Sequence, residues 1–279
     1  MKEDEISIGA NVQIEENARL IGIGEGPKSI VIGDNVYIGE DTKIIGNEIT
    51  ILDYTKVHNH CFLYAPKALS IGYNCWIGQN SILNAEAELT IQNNVCIGAS
   101  SHLWTHIKFG DILQGCRFLS YKKMVIEDDV WFGGHCIVAP IRAKRRSVAL
   151  AGSVIAKDMR ENRVYAGSPA ADVTHKLGPQ FKAVPVGRKY RKMKDYLSEF
   201  LSSISVECQD SIEIVLNYPR TLKSDTTYFN VTDRTYTKRN TEIEHRFMTF
   251  LLPEKAKFIP TEKGHNKKEQ ELWKGRRKY

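Results

Sequence analysis

No run of this 279-residue chain approaches the roughly 20 apolar residues that a bilayer-spanning helix needs, so no membrane span is expected. Its opening, Met1-Lys2-Glu3-Asp4-Glu5, is charged and lacks the apolar core of a secretory leader, which predicts no signal peptide. Cysteine is sparse and scattered, at 61, 75, 96, 116, 136 and 208, with no disulfide-framework or metal spacing. Free thiols in a reducing cytoplasm are the expectation. Histidine offers no ligand set either: His58 and His60 share one strand face at i, i+2, but no third ligand lies nearby, so no metal is expected. The net charge of +6 is uneven, with nine basic and four acidic residues from Glu254 to Tyr279. Few aromatics interleave with those charges, which favours a solvated tail over nucleic-acid binding.

What the chain has instead is a period of six. Ile8, Ile14 and Leu20 form one set; Ile32, Ile38 and Ile44 the next; then Ile51, Val57 and Leu63, and Ile71, Ile77 and Leu83. Ile91 and Ile97 begin another, and Ile126, Phe132 and Val138 resume the count after an interruption. A helix would show 3.6 and a strand 2, so a fixed step of six marks a hexapeptide solenoid. A sandwich of short strands would alternate within each strand and keep no fixed step between them. Three hexapeptides close one triangular coil, and coils stack at roughly 4.8 Å. The aliphatic points inward, a small residue two places earlier (Cys75, Val95) also faces in, and Gly or Asn serves the corner, where positive φ is needed. Cys75 and Cys136 fall on inward positions and read as buried thiols.

Val130-Trp131-Phe132-Gly133-Gly134, Ala151-Gly152-Ser153-Val154-Ile155-Ala156-Lys157-Asp158 and Val164-Tyr165-Ala166-Gly167-Ser168-Pro169-Ala170 together resemble the closing signature of the hexapeptide-repeat acyltransferases, especially sugar and xenobiotic O-acetyltransferases. The resemblance covers roughly residues 1 to 175. It implies a mainly β fold, a left-handed parallel β-helix; the hand comes from the resemblance, since general crossover rules favour the right-handed form.

The domain reading is therefore a β-helix over 1–175 with an insert at 99–124, a Gly- and Pro-containing linker at 176–188, a small α+β appendage at 189–260 and a basic tail at 261–279. In the appendage, Lys189 to Ser205 has a one-sided apolar stripe and reads as a helix. Ser211 to Asn217, Thr226 to Val231 and Ile243 to Leu252 read as strands. The resemblance does not reach this part.

Between Ile97 and Ile126 the repeat stops, and the insert gathers His102, Trp104, His106 and Asp111 with further apolar residues. An insert of this length in a compact solenoid is characteristically functional. In the family a histidine so placed takes the acceptor's proton, and His106 matches that role, with His102 as the second choice. Imidazole titrates near neutrality unaided and suits a general base. Asp111 or a backbone carbonyl would orient it, and backbone N–H groups at Gly133 or Gly134 would hold the oxyanion. Trp104 and His135 are the substrate-binding candidates; His135 faces outward and serves the acceptor site, a subunit contact or plain surface.

For the donor, the resemblance implicates Gly133, Gly134, Ala151, Gly152 and Ser153 along the coenzyme A arm, where small residues permit close approach. Lys157 and Arg163 are placed for phosphate. One corner departs from the family pattern: the step from Val138 to Ala143 is five, and Lys144, Arg145 and Arg146 follow. These either meet the coenzyme's phosphates or form a solvated corner. The resemblance implies an acetyl-CoA-dependent transferase acting on a sugar or glycan hydroxyl, a homotrimer with its site between subunits, and a place in polysaccharide biosynthesis. An N-acetyltransferase of an amino sugar nucleotide and a non-catalytic or metal-binding β-helix are the alternatives.

Overall fold

An aliphatic side chain recurring every six residues is buried only if the chain turns through about a third of a circle per hexapeptide. The computed structural model does this; it describes residues 5–24, 29–204 and 212–261. The chain divides into two units, Met1–Phe181 and Lys182–Tyr279. The first is a parallel β-helix. Its aliphatics stack in three columns, one per side of the prism. Ile8, Ile32, Ile51, Ile71, Ile91, Ile126 and Ala143 form one column. Ile14, Ile38, Val57, Ile77, Ile97, Phe132, Ala149 and Tyr165 form the second. Leu20, Ile44, Leu63, Leu83, Leu103, Val138 and Ile155 form the third. Beyond the first coil nearly all of these are fully buried. The second column lies on a 9-stranded sheet, and the other two share a 12-stranded sheet. They share it because Lys43–Ile51 and Phe62–Ile71 each run as one strand around a corner.

The corners use two devices. The glycine after each inward aliphatic does not take the left-handed conformation. A Cβ on Gly98 would lie 2.4 Å from the Gly134 nitrogen, and one on Gly133 2.6 Å from the Ala151 nitrogen. Glycine is required there because the next coil's backbone is in contact. Positive φ falls two residues later, at Asn11, Asn35, Asp41, Asn74, Asn80, Ser100 and His135. The expectation that the corner glycines themselves supply positive φ is thereby corrected. Asn and Asp dominate that position because their short polar side chains tolerate the left-handed region.

Inside the prism, the small residue two places before each aliphatic carries a polar ladder. The Thr55 hydroxyl donates to the Gly72 carbonyl (2.6 Å) and accepts from the Cys75 N–H (3.0 Å). Ser101 repeats this with Gly133 O and Cys136 N, both at 3.1 Å. Each buried hydroxyl thus ties two coils together. Cys61 and Cys136 are buried in this ladder on the third side, and Cys75 on the second. Burial pushes the Cys61 thiol up to about 11 and raises Cys136 as well. Cys208 lies outside the described residues.

The five-residue step is real: Ala143 is fully buried opposite Ile126. A shorter one follows, because Met159, four residues past Ile155, bridges back to Ala143.

The second unit is a four-stranded sheet, Ile212–Val215, Thr227–Asn230, Thr235–Tyr236 and Ile259–Pro260. Helix α1 (Thr174–Leu177) closes the β-helix unit. Helix α2 (Val186–Ser203) starts earlier than its stripe predicted, inside the expected linker. The segment expected as a strand from Ile243 to Leu252 is instead helix α3 (Glu242–Leu251). Its aromatic and β-branched content suggested a strand, but Ile243, Phe247, Met248 and Leu251 are buried at helical spacing. Thr241 caps it, accepting from the Glu244 N–H, while Glu244 accepts from the Arg239 and Asn240 amides. Beyond Thr261 the expected basic tail lies outside the described residues, as does the start at 1–4. Among the described residues no helix is long and apolar enough to cross a membrane.

Two outcomes follow from this packing. Gly98→Ala should lower unfolding stability by about 1–3 kcal/mol, the ordinary cost of overpacking, measured by urea titration. In the native protein at pH 8, iodoacetamide should label the half-exposed Cys96 and Cys116 before Cys61, Cys75 and Cys136, read by peptide mass spectrometry, because burial shields all three and at Cys61 and Cys136 a raised thiol pKa also leaves little thiolate.

Candidate active site

The repeat does not stop at Ile97. His102–Trp104 is a ladder strand between Ile82–Asn84 and Ile137–Val138, with Leu103 fully buried six residues past Ile97. No glycine follows Leu103, which hid it among loop residues. The chain leaves the coil after Thr105 and returns at Met124. His102 and Trp104 therefore stand on the scaffold, and His106 is the first residue to leave it.

The excursion is a hairpin, His106–Ile107 against Ser120–Tyr121. Its base is anchored three ways to the corner at residues 84–88. Buried Thr105 accepts from the Ala87 N–H (2.9 Å) through its hydroxyl, which also reaches the Asn84 carbonyl (3.2 Å). Lys108 pairs with Glu86 at 3.0 Å, and Lys123 with Glu88 at 2.6 Å. The bond to Glu86 holds the Lys108 ammonium above its ordinary value. The hairpin's far end is exposed and apolar at Phe109, Leu113 and Phe118.

At this base the aromatic groups meet. The Trp104 ring lies 6.2 Å from His102 and 5.9 Å from His106, both edge-on. Tyr121 stacks on His106 at 6.2 Å and 27°. His106 is half-buried, and its Nδ1 is buried with no hydrogen-bond partner, which leaves Nε2 as its solvent-reachable nitrogen. The Asn84 side-chain oxygen, on the strand that pairs with Trp104, is likewise buried and unpartnered. The structure brings His102, Trp104 and His106 together and leaves Asp111 apart. Asp111 accepts from the Leu113 and Gln114 amides at the hairpin tip (2.8 and 3.3 Å) and touches neither histidine. Glu86, Asn84 and Tyr121 went unnoticed in the sequence; only the register of the ladder places them here.

The small residues of the second corner stack from coil to coil. At first-column corners the N–H following the glycine is taken by a side chain one coil on: Ala10 by Asp34 (2.7 Å), Asp34 by Asp53 (3.0 Å), Tyr73 by Asn93 (3.0 Å). In the second column, among the described residues, the Glu40 amide makes no such bond although Asn59 lies opposite. At Gln79, Ala99 and Gly134 the residues opposite are Ala99, Gly134 and Ala151, which carry no acceptor. Among the described residues, those three amides have no partner. The Gly133 amide, by contrast, is spent on Ala149 O (2.8 Å). Of the two oxyanion candidates, only Gly134 keeps a free donor.

Gly152 has φ +72° and donates to Gly134 O (2.9 Å), while buried Ser153 turns its hydroxyl to Leu150 O (2.6 Å). His135 is exposed at the positive-φ position.

Among the cations, Arg145 is held by Glu161 at 2.6 Å, and Arg146 lies 3.8 Å from Asp129 with its guanidinium over Phe181. Lys144 and Lys157 are exposed, with no ion pair among the described residues. Arg163 is exposed, and its charge helps hold Asp172 below the usual carboxylate range, behind the hydrogen bonds from Thr174. Among the described residues no three His, Cys, Asp or Glu side chains gather as a metal site.

No protein-family model matches the chain. A galactoside O-acetyltransferase of Lactococcus lactis is 29% identical over 148 residues, spanning 49% of this chain and 70% of that protein. A candidate acetyltransferase of Saccharomyces cerevisiae is 34% identical over 101 residues, 36% of this chain and 52% of that protein. Among solved structures, a polySia-specific acetyltransferase superposes with a TM-score of 0.51 at 18% identity, covering 73% of this chain and 90% of that one. That last likeness concerns the fold, and the fold is the left-handed parallel β-helix. The curated relatives are acetyltransferases by description, and with the three aliphatic columns and the closing signature they make the chain similar to the hexapeptide-repeat acyltransferases.

Proposed function

We propose that the chain is a coenzyme A-dependent acyltransferase, most simply an acetyltransferase, acting on a hydroxyl of a sugar or glycan. The observation that carries this is the pairing of two unspent resources in one solenoid: an imidazole with an open Nε2 at the hairpin base, and a row of free corner amides at Gln79, Ala99 and Gly134. The relatives at 29% and 34% identity are acetyltransferases by description, one of them for galactosides.

The free amides suit the donor. Pantetheine presents amide carbonyls that need donors, and a coil edge supplies them as an added strand would. Gly133, Gly134, Ala151 and Gly152 allow that approach because no side chain stands in the way. Lys144, Lys157 and Arg163 are exposed cations available to phosphate. Arg145 is already paired with Glu161, so its first role is to join two coils.

In the transfer, His106 Nε2 takes the proton from the acceptor hydroxyl as its oxygen bonds to the thioester carbonyl carbon. The resulting oxyanion is met by an N–H such as that of Gly134. The C–S bond then breaks, and the imidazolium returns the proton to the departing coenzyme A thiolate. No covalent enzyme intermediate is needed. Trp104 and Tyr121 flank the imidazole, so packing rather than a carboxylate sets its direction. Trp104 with its open ring, and His102 beside it, form the acceptor side.

A homotrimer fits the prism. One side exposes Trp76 and Trp131, and an adjacent side exposes Phe62 and Ile137. Two unlike apolar sides joined heterologously close a ring when the rotation is threefold.

His106→Ala should lower kcat by about 10²–10⁴-fold for a hydroxyl acceptor, in a thioester-cleavage assay against sugars and sugar nucleotides. A loss of only a few-fold would point to an amine acceptor, which needs less help from a base. Saturating coenzyme A at about 100 times Kd should stabilise the wild-type fold by about 2.7 kcal/mol. Ala151→Asn should put a side chain over the Gly134 amide, as Asn93 stands over Tyr73 on the first side, and so abolish most of that thermal shift while leaving the unliganded Tm unchanged or raised. An undiminished shift in this variant would remove the corner amides from the donor site.

A further inference from the structure

The first half of α2 is arranged against its own stability. Arg188, Lys189, Arg191, Lys192 and Lys194 carry five positive charges, with Asp195 the one acid in the stretch. Arg188 lies three and four residues from Arg191 and Lys192, and Arg191 three from Lys194. Like charges at those spacings destabilise a helix. They also crowd its N-terminal half, where the macrodipole disfavours cations, and the first turn holds no acid. The N-cap is Pro185, which makes no side-chain capping bond. Among the described residues none of the five is ion-paired. Local rules broken together, offset within the helix only by Lys192 over Tyr196 and Lys194 over Tyr190, mark functional surface.

We propose that this cationic face docks an anionic polysaccharide, the polymeric form of the glycan acceptor. The naming of the polymer rests on the sugar reading above; the anionic character rests on the charges alone. Cations three or four residues apart stand roughly 5 Å apart along the axis, close to the rise of one sugar in an extended chain. A chain with one carboxylate per sugar would meet Arg188 and then Arg191 or Lys192 at successive steps.

Two other polyanions fit less well. A membrane surface wants apolar groups to insert beside the charges, but Met193 and Phe200 of α2 are buried, and Phe200 packs on Phe247 and Phe250 at 5.0 and 5.5 Å. Single-stranded nucleic acid wants open aromatic faces. Here the ammonium of Lys194 lies 5.6 Å from the Tyr190 ring centre and that of Lys192 4.7 Å from Tyr196.

The test is binding by the full chain, with oligogalacturonate as the anionic probe and dextran as the neutral one. Phosphatidylserine vesicles and a thymidine oligonucleotide run alongside. Oligogalacturonate should bind, more weakly as salt rises from about 0.05 to 0.3 M. Dextran should not bind through this face. Arg188→Gln/Arg191→Gln/Lys192→Gln/Lys194→Gln should weaken the complex at least tenfold and keep or raise Tm, since it removes repulsion. Arg188→Gln/Arg191→Gln, a smaller change, should weaken it severalfold and is the variant to use if the fourfold one loses its fold. Unchanged affinity in these variants, equal binding of dextran, or tighter binding to vesicles or oligonucleotide would overturn the proposal. No thioester enters the readout, so a chain that binds oligogalacturonate and transfers no acyl group would retire the enzymatic reading alone.

Discussion

Everything in the β-helix unit depends on backbone meeting backbone at the corners. Coils stack at strand spacing, and the corner must come as close as the strands do. This forbids a Cβ at Gly98 and Gly133, and it places each corner amide directly beneath the next coil. In the first column, where the next coil presents Asp34, Asp53 or Asn93, that amide is consumed in holding the stack. Where it presents Ala or Gly, the stack still closes but the amide keeps its donor. On the second side the amides of Gln79, Ala99 and Gly134 stay free in one row, and the proposed donor site is the ordinary scaffold with those donors unspent.

The hairpin follows a complementary logic. His106 leaves the scaffold immediately after a residue that is fully part of it, so the ring inherits the rigidity of Leu103 and Thr105. Two ion pairs to Glu86 and Glu88 then fix the hairpin's exit and return. Such partly exposed pairs contribute little stability each. Their value is directional, because both hold the hairpin to the same corner. An imidazole with one buried, unpaired nitrogen is held by its neighbours' rings rather than by a hydrogen bond, and stiff surroundings are what make that sufficient.

The six-residue period made the three columns legible, because a buried aliphatic is required at each face and little else satisfies it. The five-residue step at Ala143 could be read for the same reason. Leu103 was missed because Trp104 follows it where other coils have glycine, and that omission misplaced the start of the excursion. The family motif singled out His106, and the structure sets its ring between Trp104 and Tyr121. Glu86, Asn84 and Tyr121 were not, since their meeting depends on which strands pair rather than on nearness in the chain. The conformational role assigned to the corner glycines failed because periodicity cannot tell a steric need from a torsional one. In the second unit, Ile243 to Leu252 misled because β-branched and aromatic content outweighed a capping Thr241 and a helical burial pattern.

The hairpin has one more implication. It departs after Thr105 and rejoins at Met124, and the ladder keeps its register on both sides, with Trp104 opposite Asn84 and Met124 opposite Leu89. Its length is thus invisible to the prism: residues can be added or removed beyond the anchoring lysines without shifting any column out of step. A scaffold of this kind can exchange one outgrowth for another, and so acquire a new acceptor, while the frame that bears the imidazole stays as it was.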